Sequence, residues 1–364
     1  MKKYRSAFDI LFLASLGAII TCLGVAILIL PQKDFSQKEN RALKKIPALS
    51  LSCVWSGEYF KELGDFYQDQ FPRRNNFTAL YALAEKGVGK IEVNGVITTA
   101  DGVCVALPKN TGVERARKNL SAISSLAKNK KVHLYVPPSS FDVFYEQLPS
   151  FYPQSSVASS VLNGEALDDF LEMTDIANEE YYYKTDHHWT TKGAYFAYTQ
   201  ICERMNIEPY TENHFVKTEM YSDFRGTSAA RSGLPNWLVG ADTVTLYRYS
   251  GDDDISVKNH ETGSQTSGFY SYGALDQADK YKIFLGGNYS HISIYKNETR
   301  PKLLLVKDSF ANSVIPVLAL HFDIEVVDPR YCTKEQLRAQ IEREDVDLTL
   351  ILMSLETLTT NIFN

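Results

Sequence analysis

Cysteine is scarce in this chain, with five in 364 residues, at positions 22, 53, 104, 202 and 332. No two form a Cys-x-x-Cys pair, which excludes the usual zinc-ribbon and thioredoxin-like spacings, and they lie too far apart to predict a disulfide pairing. A basic excess is also missing. With 38 Lys+Arg against 44 Asp+Glu the formal net charge is −6, whereas a nucleic-acid partner needs a cationic surface to neutralise phosphates. Internal repeats are absent. What remains is 44% hydrophobic and 23% charged, an ordinary globular balance in a chain long enough to bury a sizeable core.

One long hydrophobic run is present, and it comes first. After Lys2, Lys3, Arg5 and Asp9, residues Ile10–Leu30 carry no charge. A helix of about 20 apolar residues crosses the hydrocarbon layer, whereas the apolar part of a cleaved signal is usually about 7–15 residues long. The run ends in Leu28-Ile29-Leu30-Pro31-Gln32-Lys33 without a small-x-small cleavage site. Residues 1–30 are therefore expected to be a cytoplasmic tip plus signal-anchor. The basic residues stay inside, and an acidic remainder lies outside the cell. A cleaved signal releasing that remainder is the alternative.

Residues 31–55 read as a polar linker and 56–364 as an extracellular α/β domain. Tyr59, Phe60, Leu63, Phe66 and Tyr67 share one helical face, and a second helix is expected from Asn75 to about Lys86. Val93-Asn94-Gly95-Val96 and Asp101-Gly102 carry hairpin-turn chemistry. Strands are then expected at Val132–Val136, Lys302–Lys307, Ile324–Val327 and Leu348–Met353, with helices at Lys192–Met205, Phe310–Leu320 and Lys334–Arg343. Continuous Leu/Val/Ile strands alternating with helices predict a parallel sheet covered on both faces. The polar Gly/Ser-rich stretch 250–276 reads as a surface insertion.

Such sheets bind ligands beyond the carboxyl ends of their strands, which draws attention to Lys307-Asp308-Ser309-Phe310. A serine there stands beside the free N–H groups of a helix start, suited to a developing oxyanion, although Asp308 or Ser309 would also serve as a simple helix cap. The second constellation is Thr185-Asp186-His187-His188-Trp189-Thr190. In extended chain Asp186 and His188 share a side and His187 points away. A carboxylate beside an imidazole fixes its tautomer and leaves the other ring nitrogen to take a serine proton. Two histidines on opposite sides do not easily hold one ion, and His133, His214, His260, His291 and His321 form no paired motif, so neither metal nor cofactor is expected. Gly286-Gly287-Asn288 offers a close-approach turn with an amide donor. In Asp328-Pro329-Arg330-Tyr331, Arg330 either binds a substrate oxygen or pairs with Asp328. The loop Phe224-Arg225-Gly226-Thr227-Ser228 is a weaker signal.

Asp186-His187-His188-Trp189-Thr190 with Lys307-Asp308-Ser309-Phe310 downstream resembles the bacterial DHHW family. That family is similar to SGNH-hydrolase-like proteins, among them the alginate O-acetyltransferases. Glu39-Asn40-Arg41-Ala42-Leu43 with Pro47, Asp69-Gln70-Phe71-Pro72-Arg73, Asn94-Gly95-Val96, Gly286-Gly287-Asn288 and Asp328-Pro329-Arg330-Tyr331 agree with it. The resemblance implies a permuted SGNH-like (flavodoxin-like) fold with Ser309 as nucleophile, His188 as general base and Asp186 as its orienting acid. Gly287 and Asn288 stand as oxyanion candidates. The sequence departs from an ordinary SGNH esterase in motif order, and in having Lys307 where glycine would sit.

The function expected is acyl-ester chemistry on a cell-surface or secreted polysaccharide, as O-acetyltransferase or acetylesterase. For acetyl transfer a membrane-bound acyltransferase would supply the acyl group. Two other readings use the same residues. One is an inactive glycan-binding or assembly factor drawing on the 22 tyrosines and 3 tryptophans; the other is a metal-dependent phosphoesterase suggested by Asp-His-His.

Overall fold

The structure, a computed structural model, describes residues 2–36, 41–108, 112–127, 131–152, 170–172, 178–296, 299–360 and 362; Glu39 and Asn40 of the family-like stretch lie outside them. The chain divides into two compact units, Met1–Lys90 and Ile91–Asn364.

The first unit begins with α1 (Lys2–Ile29). Over Ala7–Ile29 its mean hydropathy is 2.5, and Leu11, Ile20 and Ile29 are exposed. Apolar side chains all round a helix of this length are costly in water and suit a signal anchor or membrane span. Then come the short ladder β1 (Phe35–Ser36) with β2 (Arg41–Ala42) and helices α2 (Leu51–Trp55), α3 (Glu58–Asp69) and α4 (Arg74–Gly87). The two longer helices fall where the periodicity predicts, separated at Phe71-Pro72-Arg73. The end of α3 grips the segment that follows the apolar helix. Asp69 accepts the Lys44 N–H at 2.8 Å, and the Gln70 amide bonds the backbone of Lys33 and Lys44 at 2.9 Å.

The second unit opens with a meander of β3 (Glu92–Val93), β4 (Val96–Thr98) and β5 (Cys104–Ala106). Asn94 and Gly95 take positive φ at the predicted turn. The remaining elements are α5 (Val113–Ala127), β6 (Val132–Val136), α6 (Ser140–Val143), β7 (Phe170–Glu172), α7 (Thr191–Arg204), β8 (Val216–Phe224), α8 (Thr227–Ser232), β9 (Asp242–Arg248), β10 (Ser256–Asn259), β11 (Gln265–Ser267), β12 (His291–Tyr295), β13 (Lys302–Lys307), α9 (Ile315–Leu318), β14 (Asp323–Val327), α10 (Lys334–Ile341), β15 (Leu348–Leu352) and α11 (Leu355–Leu358). β8 and β9 form their own antiparallel ribbon.

The main sheet runs β11-β10-β12-β14-β13-β15-β6-β7. It is mixed, which corrects the expectation of a parallel sheet: β14, β13, β15, β6 and β7 pair parallel, whereas β12, β10 and β11 join by antiparallel pairings. The reason lies in the segment 250–276, expected as a surface insertion, which builds this edge. Val257 and Asn259 of β10 are buried, Lys258 is exposed, and Ile255 and Phe269 join the core. Antiparallel strands tolerate such one-sided wetting where parallel ones rarely do. Counted from the amino end, the parallel strands lie in the order 2-1-5-3-4.

Both faces of the sheet are covered. Leu303, Leu305, Ile324 and Leu350 pack with Ala194, Tyr198 and Ile201 of α7, while Leu304, Val306 and Ile351 face Leu120 of α5 and Leu337 of α10. Leu303 to Val306 are fully buried, worth about 2 kcal/mol each. The helix predicted over 310–320 is broken. A 3-10 turn at Ser309–Ser313 precedes α9, and Pro316, which has no N–H to give to a helix interior, sits in the first turn of α9.

Candidate active site

β13 delivers Lys307-Asp308-Ser309 to the carboxyl edge of the sheet. The capping reading applies here, to one of the two residues. Asp308 is the cap: one oxygen accepts the Phe310 N–H at 3.0 Å. The other accepts the Ser354 N–H, the Ser354 hydroxyl and the Thr357 hydroxyl, each at 2.7 Å. These bonds tie the end of β13 to the start of α11. Burial alone would raise the Asp308 carboxyl; Arg330 and these donors outweigh it and hold the group below its ordinary value. Ser309 is thereby left free, and its Oγ meets His188 Nε2 at 2.8 Å.

The ring's other nitrogen, Nδ1, lies 2.5 Å from Asp186 Oδ1, which also accepts the His188 backbone N–H at 3.0 Å. Carboxylate, imidazole and hydroxyl thus form one continuous hydrogen-bonded chain, with Asp186 and His188 both buried. Burial would raise the Asp186 carboxyl, but the two neighbouring imidazoles and its hydrogen bonds keep it well below the carboxylate range. Burial and then His187 lower the His188 ring, against the pull of Asp186. A neutral imidazole with a fixed tautomer can take a hydroxyl proton.

Three parts of this frame have no clear signal in the sequence. The first is the loop 224–228, rated weakest above, which holds the acid: Thr227 donates its N–H at 2.7 Å and its hydroxyl at 2.9 Å to Asp186 Oδ2. Gly226 makes this approach possible, since a Cβ there would lie 2.2 Å from Asp186 Oδ2 and 2.3 Å from its Cβ. Gly226→Ala is expected to cost about 1–3 kcal/mol, read as a lower thermal midpoint; an unchanged midpoint would show that the loop can retreat. The second is Tyr281, whose ring stacks on His188 at 4.0 Å and 6° while its hydroxyl reaches the Ser309 carbonyl at 3.2 Å. The third is the anchoring role of Trp189. Its buried indole N–H is shared between the Phe310 carbonyl and Ser313 Oγ, each at 2.9 Å, fastening the histidine loop to the serine turn.

His187 corrects the sequence reading. Residues 185–188 are bends rather than a strand, so the His187 ring does not point away; it lies 3.8 Å from that of His188 and bonds Thr227 Oγ1 at 2.6 Å. Ligand atoms of Asp186, His187 and His188 fall within 4.8 Å of one another, so the steric argument against a shared ion does not hold. Both Asp186 oxygens nevertheless already accept hydrogen bonds, and binding an ion through His188 Nε2 would take that nitrogen from Ser309. A second correction concerns His260 and His291, expected to be unpaired. Adjacent antiparallel strands stack their rings at 4.1 Å beside Glu325, again with ligand atoms within 4.8 Å.

The remaining candidates divide. Arg330 is committed to Asp328, with Nε at 2.9 Å and an NH2 nitrogen at 2.7 Å from its two carboxylate oxygens; this takes up the fork that a substrate would need. Asn288 joins the serine turn, its Oδ1 accepting from Lys307 Nζ at 2.7 Å and from Asn312 Nδ2 at 3.1 Å. Gly287 has φ +138° with open space on its Cβ side, a conformation that favours glycine. The Ser309 N–H meets no acceptor among the described residues.

The chain is similar to a solved DHHW family protein from Eubacterium siraeum at 21% identity and TM-score 0.59, over 74% of this chain and 94% of that one. It is also similar to PatB1 of Bacillus cereus, at 20% identity and TM-score 0.59 over 74% and 98%. A form of PatB1 with a sulfonyl adduct gives 19% and 0.58 over 74% and 97%. These likenesses show a shared fold. No match is found among curated proteins. Residues 165–327, the segment that holds Asp186, His188, Trp189 and Ser309, match the family described as DHHW protein.

Proposed function

We propose that this chain is an acyl-transfer enzyme of the cell envelope, acting on acetyl esters of a polysaccharide. The observation that carries the reading is the 2.8 Å contact between His188 Nε2 and Ser309 Oγ, with Asp186 behind the ring. Ser309 Oγ attacks the acetyl carbonyl as its proton passes to His188 Nε2, and Asp186 stabilises the imidazolium. The tetrahedral oxyanion is held by the Ser309 N–H, the Gly287 N–H and the Asn288 amide. The leaving alcohol takes the proton from His188, and an acetyl-serine remains. A sugar hydroxyl or water then gives its proton to His188 and attacks the ester, and the proton returns to Ser309 as the acetyl group leaves.

Three features support the reading. The serine stands at the carboxyl end of a central strand, where open α/β sheets bind their ligands. Counting strands from β13 turns the observed order into 2-1-3-4-5, the doubly wound flavodoxin-like order, as a permuted SGNH-like domain requires. The apolar helix with Lys2, Lys3 and Arg5 before it favours a single-pass anchor with the enzyme domain outside. In that place a membrane-bound acyltransferase partner supplies the acetyl group, because the bilayer separates the domain from cytoplasmic donors.

The test treats the full-length chain in detergent with an aryl sulfonyl fluoride and locates the adduct by peptide mass spectrometry. A single sulfonyl group on Ser309, blocked by a small acetyl ester, is expected. An unmodified Ser309 in folded protein refutes the assignment.

A further inference from the structure

We propose that Lys307 is a positioning residue that turns the Asn288 amide nitrogen toward the oxyanion, an inference that rests on the acyl-transfer reading above. Lys307 ends β13, two residues before Ser309, and its side chain is 1% exposed. Lysine is almost never so buried without partners. Its Nζ donates to Asn288 Oδ1 and to Asn312 Oδ1, both at 2.7 Å, and lies 3.5 Å from Asp328 Oδ2.

The two orientations of an asparagine amide are nearly alike in shape, so a neighbour's chemistry must choose between them. An ammonium group has donors and no acceptor. Whatever amide it touches must turn its oxygen inward, leaving the nitrogen on the far side. Asn312 Nδ2 donates to the same Asn288 oxygen, which doubles the preference. Asn288 Nδ2 then has no acceptor among the described residues, although the amide is hydrogen-bonded to the segment that presents Ser309. A donor held rigidly in place with nothing to donate to is what oxyanion stabilisation needs. Glycine, which an ordinary SGNH esterase carries at this place, has no side chain to do this.

The charges around Lys307 explain why it leans on amides. Arg330 occupies both oxygens of Asp328, and Asp308 is filled by Phe310, Ser354 and Thr357. Two cations and two carboxylates balance, which makes burial tolerable, yet neither carboxylate is free to hold the ammonium closely. The groups around Lys307 are therefore Asp308 next to it in the chain, Asn312 from its own turn, Asn288 from the loop before β12, and Asp328 with Arg330 from the loop after β14. Burial pushes the ammonium down to about 8, with Arg330 adding to the effect and Asp328 opposing it. A deprotonated amine can accept as well as donate, so its hold on the Asn288 oxygen weakens and kcat falls as pH rises through that value.

The experiment measures kcat and KM against pH for hydrolysis of 4-nitrophenyl acetate by full-length wild type, Lys307→Met, Asn288→Ala, the double variant and Ser309→Ala. Lys307→Met and Asn288→Ala are each expected to lose kcat about 10²-fold with KM nearly unchanged. The double variant should fall no further than Asn288→Ala, and the alkaline limb should vanish in Lys307→Met. Losses that multiply in the double variant, or full kcat in Lys307→Met, overturn the inference while leaving Ser309-dependent turnover intact. Turnover that Ser309→Ala does not diminish removes the acyl-transfer reading itself. Should Lys307→Met not fold, Asp328→Asn decides: losing the opposing carboxylate must move the alkaline limb to lower pH, and an unmoved limb refutes the role of Lys307.

Discussion

Ser309→Ala is expected to reduce turnover of a small acetyl ester by at least about 10³-fold, with the thermal midpoint little changed. Among the described residues the hydroxyl makes one side-chain hydrogen bond, to His188 Nε2. The turn that carries it is held by Asp308, by the Trp189 indole and by Tyr281, none of which the substitution touches. On the proposed mechanism, removing Oγ deletes the atom that would form the covalent bond, and the oxyanion donors alone would retain only weak catalysis. An inactive glycan-binding protein would give the opposite outcome. It would show no Ser309-dependent turnover in the wild type, and polysaccharide binding by Ser309→Ala would match it. Comparing ester turnover with polysaccharide binding in both proteins separates these outcomes.

Asp186→Asn should cost about 10³–10⁴-fold in kcat, although it changes the side chain by a single group. Each Asp186 oxygen accepts a backbone N–H: Oδ1 that of His188 at 3.0 Å and Oδ2 that of Thr227 at 2.7 Å. An amide has one acceptor end, so in either orientation its NH2 faces a backbone N–H. If the NH2 turns toward His188 it also forces Nδ1 to accept; the ring proton then moves to Nε2, and the base is lost. If it turns toward Thr227, a buried clash replaces two bonds, at about 1–3 kcal/mol for each group left unsatisfied. Kinetics on folded protein decide the matter. A large loss of kcat with KM nearly constant fits the orienting role, and unchanged kcat would reduce Asp186 to a structural acid.

How far sequence reading reached depended on chain distance. Asp186 and His188 are two residues apart, so one local bend joins them. Ser309 was recognisable because a strong β-strand runs straight into it. The pairing of the halves needed the resemblance, because His188 and Ser309 meet across 121 positions. The role of the loop 224–228 could not be read, since Gly226 and Thr227 matter only through a carboxylate about 40 residues earlier. His187 does not point away as extended chain predicts, because the backbone N–H groups of Lys184 and Thr185 bond Asp242 and the chain bends there. His260 and His291 show no pattern in one dimension; an antiparallel register puts them together.

The amino-acid order alone suffices for the apolar amino-terminal helix, the buried strands and the helix stripes, because these follow from hydrophobic periodicity and run length, both local properties. It also suffices for the two short motifs. Whether the sheet is mixed, where the His187 ring lies, whether Arg330 is free, and which groups a buried lysine bonds near Ser309 are settled by packing. Each of those outcomes is a competition among partners distant in the chain for the same few donors and acceptors, and only the folded arrangement determines who is within reach.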